Sequence, residues 1–319
     1  MSEIKPNPEP RSPKYDNLYE ATLHEVDGGH MAYHRFIAVR NNEPDLFIKA
    51  HNPHTFTDPV REAHSRQYLH KENKLYSHLR QYNFKAIPNS VKLHDGHTLM
   101  MEALDGDTGW TWRAPNDLNT YIQSALKHLD TLQSMPIPDE FHDTILPTYD
   151  THIHEGWVEL NDNLLEQFNR KITNWSPKLR PEFQTIVPEI IRDLPTLKQE
   201  FDNINHADEK YLCHHDFRQA NIAWHPEHGT RIVDWSWAGV GRKNSDATTL
   251  LIDLHKSGHD VGSYMHKYNP DHALTLIGFW VAHSLWPTRN DDNSVRFHQA
   301  VSALSAYDLL AKFSSKHDK

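Results

Sequence analysis

The sequence predicts an α+β chain in two parts, a small amino-terminal region built on an antiparallel sheet and a larger, mainly helical carboxy-terminal region. Three observations carry this. Short strand-like runs crowd residues 15–104 around one long helical stretch, and apolar residues recur at helical spacing from residue 117 onward. Between Leu212 and Asp246 a compact hairpin pattern interrupts the helices. At 319 residues, with a hydrophobic share of 37%, the chain has ample core material for one large domain or two lobes.

Residues 1–14 hold Pro6, Pro8, Pro10 and Pro13 among polar neighbours, too little apolar surface to fold alone, and are expected to form a disordered tail. Ala21–Val26, Tyr33–Arg40 and Leu46–Ala50 read as three antiparallel strands, connected through Asp27-Gly28-Gly29 and Asn41-Asn42-Glu43-Pro44. A helix follows from about Pro59 to Tyr82, then strands at Ser90–Leu93 and Thr98–Glu102 around an Asp95-Gly96 turn. Asp117–Met135 places Leu118, Ile122, Leu126, Leu129 and Leu132 near helical spacing and stops at Pro136. His154–Ile172 and Pro181–Ile204 read as two further helices, interrupted by Pro177, Pro181, Pro188 and Pro195. Ala247–Ser257, Pro270–Trp286 and Asn293–Phe313 complete the helical part, and Ser314–Lys319 is expected to fray.

Composition narrows the function. The formal net charge of −10 argues against nucleic acid, whose binders need a basic face. No run approaches the ~18 apolar residues of a membrane span, and MSEIKPNPEPRSPK lacks the apolar core of a signal peptide, so a cytoplasmic protein is expected. Cys213 is the single cysteine, which excludes an internal disulfide, and it reads as a small apolar residue on a buried strand. The 26 histidines include the pairs His51/His54, His152/His154 and His255/His259, but none has the cysteine or carboxylate cluster of a zinc site. They read mostly as surface residues whose titration near pH ~6.5 makes the net charge change steeply below neutrality.

The chemistry concentrates in LCHHDFRQANIAWHPEHGTRIVDWSWAGVGRKNSD, residues 212–246. A short apolar run breaks at His214-His215-Asp216. Ile222-Ala223-Trp224 and Arg231-Ile232-Val233 then form a hairpin that brings Asn221 and Asp234 to the same end. Magnesium prefers oxygen ligands and keeps several waters, so one carboxylate and one amide oxygen suffice when nucleotide phosphates supply the rest. Asp234 and Asn221 meet that requirement, and Asp216 is placed to accept a proton from a substrate hydroxyl. Taken singly, each of these residues reads equally as a turn former or helix cap.

At these positions the chain resembles the aminoglycoside phosphotransferase and choline kinase group, whose catalytic stretch reads roughly H-G-D-x-x-x-x-N, followed later by a hydrophobic residue, Asp and Trp. Here those positions are His214, His215, Asp216, Asn221, Val233, Asp234 and Trp235, and His215 stands where the motif has glycine. The resemblance implies a bilobal protein-kinase-like fold, with an amino-terminal lobe over 15–104 and a helical lobe over 105–319. It further implies Asp216 as catalytic base, Asn221 and Asp234 as magnesium ligands, and Asp246 as a structural aspartate at the start of the next helix.

The same resemblance orders the amino-terminal region. Phe47-Ile48-Lys49-Ala50 sets a lysine among apolar residues, read either as an edge-strand lysine in water or as the contact to the ATP (or GTP) phosphates, oriented by a helix glutamate. Glu62 and Glu72 are the candidates. Lys71-Glu72-Asn73-Lys74-Leu75-Tyr76-Ser77-His78-Leu79 looks like the family's E-x-x-L-Y-x-x-L, which selects Glu72 over Glu62, with a solvated i,i+4 pair as the other reading of Glu72. Gly28 and Gly29 read as a phosphate loop or a plain hairpin turn. Leu99–Gly106 resembles the hinge that holds adenine, with backbone contacts at Glu102 and Leu104 and Met101 at the pocket edge, although the methionines read equally as core.

The implied reaction moves the γ-phosphoryl group from Mg-ATP to a hydroxyl of a small molecule, with aminoglycosides, choline, ethanolamine, homoserine and sugars as family acceptors. Arg218 reads either as a γ-phosphate contact or as a solvated side chain. Glu155, Glu159, Asp162, Asp260, Asp291 and Asp292, with Trp110, Trp112, Trp157, Trp280 and Trp286, are candidates for a cationic acceptor pocket, each against a surface or core role. Two readings compete. A protein kinase lacks its A-P-E segment here, and a nucleotide-binding pseudokinase acting as a regulatory module draws its support from His215.

Overall fold

The computed structural model describes residues 21–26, 33–41, 43–51, 59–89, 91–139, 149–205, 210–288 and 293–317. The expected tail over 1–14, and with it Gly28, Gly29, Asp291 and Asp292, lies outside them. The chain divides into two compact units: the described residues of Met1–Asn73 with Pro88–Trp110, and those of Lys74–Ile87 with Thr111–Lys319.

The first unit is a five-stranded antiparallel sheet built from β1 (Thr22–Glu25), β2 (Tyr33–Arg40), β3 (Glu43–His51), β4 (Val91–His94) and β5 (Thr98–Glu102), in the order β1-β2-β3-β5-β4. Between β3 and β4 runs α1 (Pro59–Gln81), whose Ser65 carbonyl accepts a hydrogen bond of 2.8 Å from the Tyr33 hydroxyl on β2. β3 begins three residues earlier than its apolar run suggests. Pairing shifts between Ala38 and Val39, so that Leu46 faces Ala38 and Pro44 faces Val39. Asp45 is the extra residue of this bulge and turns its carbonyl to the Ala103 amide at 3.2 Å. A proline, which cannot donate to a ladder, is tolerated beside a bulge of this kind.

The second unit is helical. α2 (Leu118–Leu132) starts on Asp117, whose side chain accepts the Thr120 amide, and buries Tyr121, Ile122, Ala125, Leu126, Leu129 and Leu132. The stretch expected as one helix over His154–Ile172 is two, α3 (Tyr149–Glu159) and α4 (Asp162–Trp175). Asn161 makes the break, because its side chain caps α4 by accepting the Leu164 amide at 3.1 Å. α5 (Pro181–Asp202) runs through Pro188 and Pro195. Each proline costs about 3 kcal/mol inside a helix. Phe183, Val187, Ile190, Leu194, Leu197 and Phe201 are buried along one stripe, at about 1.5–3 kcal/mol apiece, and that burial offsets the loss.

Beyond α5, β6 (Tyr211–Cys213) pairs with β9 (Gly239–Gly241), and β7 (Ile222–His225) with β8 (Gly229–Ile232). α6 (Ser245–Lys256), α7 (Pro270–Ser284) and α8 (Ser294–His317) follow, with α7 shorter and α8 longer than their apolar patterns suggest. α3 and α7 cross at Gly156 and Gly278, where a Cβ would collide with the Phe279 backbone and the Trp157 ring respectively. No helix of the described residues is long and apolar enough to cross a membrane.

Candidate active site

Asp216 sits in the loop that leaves β6, and two backbone amides before it are captured by one carboxylate. Asp246, in the first turn of α6, accepts the His214 amide through Oδ2 at 2.7 Å and the His215 amide through Oδ1 at 2.8 Å. The His214 ring spans the next gap: its Nδ1 accepts the Asp216 amide at 3.2 Å, and its Nε2 donates to the Val233 carbonyl at 2.9 Å. Those two bonds require the neutral ring with its proton on Nε2. The segments carrying Asp216 and Asp234 are thereby tied through one imidazole.

The hairpin β7–β8 does what its pattern implied. Ile222 faces Ile232, and the Val233 amide donates to the Asn221 carbonyl at 3.0 Å, so Asn221 and Asp234 lie at the same open end. Asn221 points Nδ2 at Asp216, to the backbone oxygen and to carboxylate Oδ2, both at 2.8 Å, which leaves its amide oxygen as an acceptor. Asp234 adopts φ of 62°, and its Oδ1 accepts from the Ser236 hydroxyl at 3.0 Å. Trp235 is wholly buried, donates from Nε1 to the Ile232 carbonyl at 3.0 Å, and lies 4.6 Å from the His214 ring, which accounts for a tryptophan beside this aspartate.

His215 also takes a left-handed conformation, with φ of 65°. A non-glycine residue there costs ~1–2 kcal/mol, and glycine in the motif avoids that cost.

Two relationships escaped the sequence. Arg218 clasps Asp216 with two bonds, Nε to Oδ1 at 2.6 Å and Nη2 to Oδ2 at 3.1 Å. Gln219 anchors the loop to α6: its amide donates to Asp253 Oδ2 at 3.0 Å, and its Nε2 to the same oxygen at 3.1 Å. Burial works against a charged Asp253, but Lys256, 2.6 Å away, and the Gln219 amide prevail and hold its carboxyl below the usual range. A glutamine two residues before Asn221 and an aspartate seven beyond Asp246 carry no pattern that joins them.

In the first unit Lys49 lies on the middle strand, opposite Arg35 of β2 and Leu99 of β5, so an edge-strand lysine in water is ruled out. It is 5% exposed, and its Nζ stands 2.9 Å from Oε2 of the fully buried Glu72 and 4.9 Å from the Tyr33 ring centroid. Glu62 lies instead near His51 and Arg66. Met101 and Leu104 are buried, and the Glu102 carboxylate receives the Asn89 amide at 2.7 Å and its side-chain nitrogen at 3.1 Å.

The acceptor-pocket candidates divide by burial. Trp157 and Trp110 are core residues, and the Trp157 Nε1 donates to the Leu274 carbonyl at 2.7 Å; Trp112 and Trp286 are exposed. Glu159 meets Trp286 Nε1 at 3.3 Å, and Asp260 accepts the Gly262 amide. The surface reading of the histidines fails for His51, His214, His215 and His272, which are buried on hydrogen bonds.

The family model of the phosphotransferase enzyme family (APH) matches residues 37–273. The chain belongs to this family. By that membership it is a phosphotransferase acting on small molecules. No curated protein matches the chain. Among solved structures it is similar to an aminoglycoside phosphotransferase from Alicyclobacillus acidocaldarius, at 14% identity and TM-score 0.59, covering 99% of this chain and 97% of that one. The choline kinase LicA from Streptococcus pneumoniae aligns at 14% identity and TM-score 0.52, over 92% and 97% of the two chains. The ADP-bound aminoglycoside phosphotransferase APH(2'')-Ib gives the same identity and TM-score over 92% and 96%. At this identity the likeness fixes the fold, an α+β protein-kinase-like one.

Proposed function

We propose that this phosphotransferase moves the γ-phosphoryl group of ATP to a hydroxyl of a small molecule, with Asp216 as the base. The observation that carries the proposal is the convergence on Asp216: its amide, carbonyl and carboxylate are each held by a neighbour within 3.2 Å. Phosphoryl transfer asks little covalent work of a protein and much alignment, and a carboxylate held so firmly suits the orienting of a hydroxyl. Lys49, aimed by Glu72, binds the α- and β-phosphates, and the segment of Met101, Glu102 and Leu104 receives the adenine. The ADP bound to APH(2'')-Ib supports a nucleotide donor, and the need for ATP calls for a cytoplasmic location.

The donor set fits magnesium. Asn221 offers an amide oxygen and Asp234 a carboxylate, both hard ligands, at one end of a hairpin. Magnesium leaves most of its positions to phosphates and water, so two protein oxygens suffice. When bound, magnesium neutralises phosphate charge. Asn221 and Asp234 would hold it, and Asp216 takes up the hydroxyl proton.

A regulatory pseudokinase drew its support from His215. Because that residue adopts the conformation glycine would, the loop around Asp216 stays intact and the catalytic reading is preferred. The acceptor class follows the kinds of molecule named for the neighbours, aminoglycosides and choline. The test is ADP release from Mg-ATP across a panel of aminoglycosides, choline, ethanolamine, homoserine and simple sugars, with Asp216→Asn alongside. An acceptor-dependent signal that vanishes in the variant supports the proposal. Acceptor-dependent release that survives in Asp216→Asn removes Asp216 from the role.

A further inference from the structure

We propose that His215 is a positioning residue for Asp216, fitted to this chain together with Gly241. Its side chain makes a directed contact where glycine in the same position has none. The Val240 carbonyl can only accept, so His215 Nε2 carries the proton and donates to it at 2.9 Å. The ring is buried and occupies space that Gly241 leaves open: a Cβ on Gly241 would stand 2.6 Å from His215 Cε1 and 2.9 Å from Cys213 Sγ. Val240 and Gly241 belong to β9, which pairs with β6, the strand that delivers the loop.

Four attachments therefore bracket the base. Asp246 holds the amides of His214 and His215, the His214 ring binds the Val233 carbonyl, and the His215 ring binds the Val240 carbonyl. The first two fix the backbone. The two rings brace it from both sides, one toward the β7–β8 hairpin and the other toward β9. The residue immediately before Asp216 is thus locked in a left-handed conformation that its own side chain enforces. Removing the ring leaves φ permitted but not enforced, and Asp216 loses its aim.

This role rests on the proposed phosphoryl transfer, so the test has one arm that reads activity and one that does not. Full-length His215→Gly and His215→Asn both tolerate positive φ, and neither reaches the Val240 carbonyl. In each, the kcat for ADP release from Mg-ATP is expected to fall about 10–100-fold per folded molecule, with KM for Mg-ATP little changed and the melting temperature lowered by the vacated ring space. Amide hydrogen exchange over residues 214–221 is expected to quicken. Gly241→Ala should reproduce these effects, and in the His215→Gly background it should cost less than alone. Wild-type kcat in both His215 variants overturns the proposal, as does a lowered melting temperature with unchanged turnover per folded molecule. If the wild-type protein releases no ADP, the phosphoryl-transfer reading fails. Exchange then decides alone: unchanged protection over 214–221 in His215→Asn overturns the positioning role, and faster exchange upholds it.

Discussion

Arg218 and Asp216, two residues apart, form a two-point ion pair in which both carboxylate oxygens are engaged, Oδ1 at 2.6 Å and Oδ2 at 3.1 Å. Each side chain keeps more than a fifth of its surface in solvent, 27% and 21%. A pair so placed adds about 0–1 kcal/mol to stability. Its significance is therefore orientation. The planar guanidinium fixes the carboxylate plane, which a lysine's point charge does not do.

Arg218→Ala should accordingly leave the melting temperature within a few degrees of wild type and lower kcat by about ten-fold or more, while Arg218→Lys recovers only part. Steady-state ADP release and thermal melts of the three proteins check this. Full activity in Arg218→Ala would make the guanidinium a bystander.

Asp216→Asn and Asp234→Ala separate chemistry from metal binding. The first keeps the shape of the loop and an acceptor for Arg218, so Mg-ATP affinity should stay near wild type while turnover drops by orders of magnitude. The second removes a carboxylate ligand, and magnesium should lose its ability to strengthen nucleotide binding. Calorimetric titration of ATP with and without magnesium reads the difference. If magnesium dependence survives in Asp234→Ala, another group holds the cation.

Local pattern carried the sequence reading where function and periodicity coincide. Thr98–Glu102 and the β7–β8 hairpin announce themselves by alternation and turn residues, and the spacing of Asp216, Asn221 and Asp234 follows from that hairpin. Three kinds of fact were hidden. Pro188 and Pro195 obey tertiary burial over local preference, and Asn161 ends a helix inside an apolar rhythm that appears continuous. Arg218 meets Asp216 by a rotamer choice that no spacing specifies. Gln219 reaches Asp253 across 34 residues, and long-range polar pairs of this sort leave no periodic trace.

The Lys49–Glu72 pair should behave as buried charges do. Removing one partner strands the other, so Glu72→Ala is expected to cost about 3–5 kcal/mol, whereas an apolar double replacement, Lys49→Met with Glu72→Leu, should restore much of that stability. Activity should fail in both proteins. Urea denaturation and ADP release together check the pattern. A double variant as unstable as the single one would show that packing, not an orphaned charge, sets the cost.

Acid sensitivity offers a prediction away from the site. His128 lies on α2 with its ring 5.8 Å from Phe84, and burial first, then the charges of Arg231 and Lys127, push it down to about 4. In the unfolded chain it titrates near ~6.5. Between those values the unfolded state binds a proton that the native state refuses, so stability rises with pH across the window. It is complete above ~6.5 and falls as the pH drops toward 4. Because solvent still reaches part of the ring, the contribution is about 2 kcal/mol. His128→Phe removes the titration and keeps the ring contact. Its denaturation free energy should lose about that much less than wild type between pH 7 and 4. Parallel curves for the two proteins would assign the acid sensitivity to other groups.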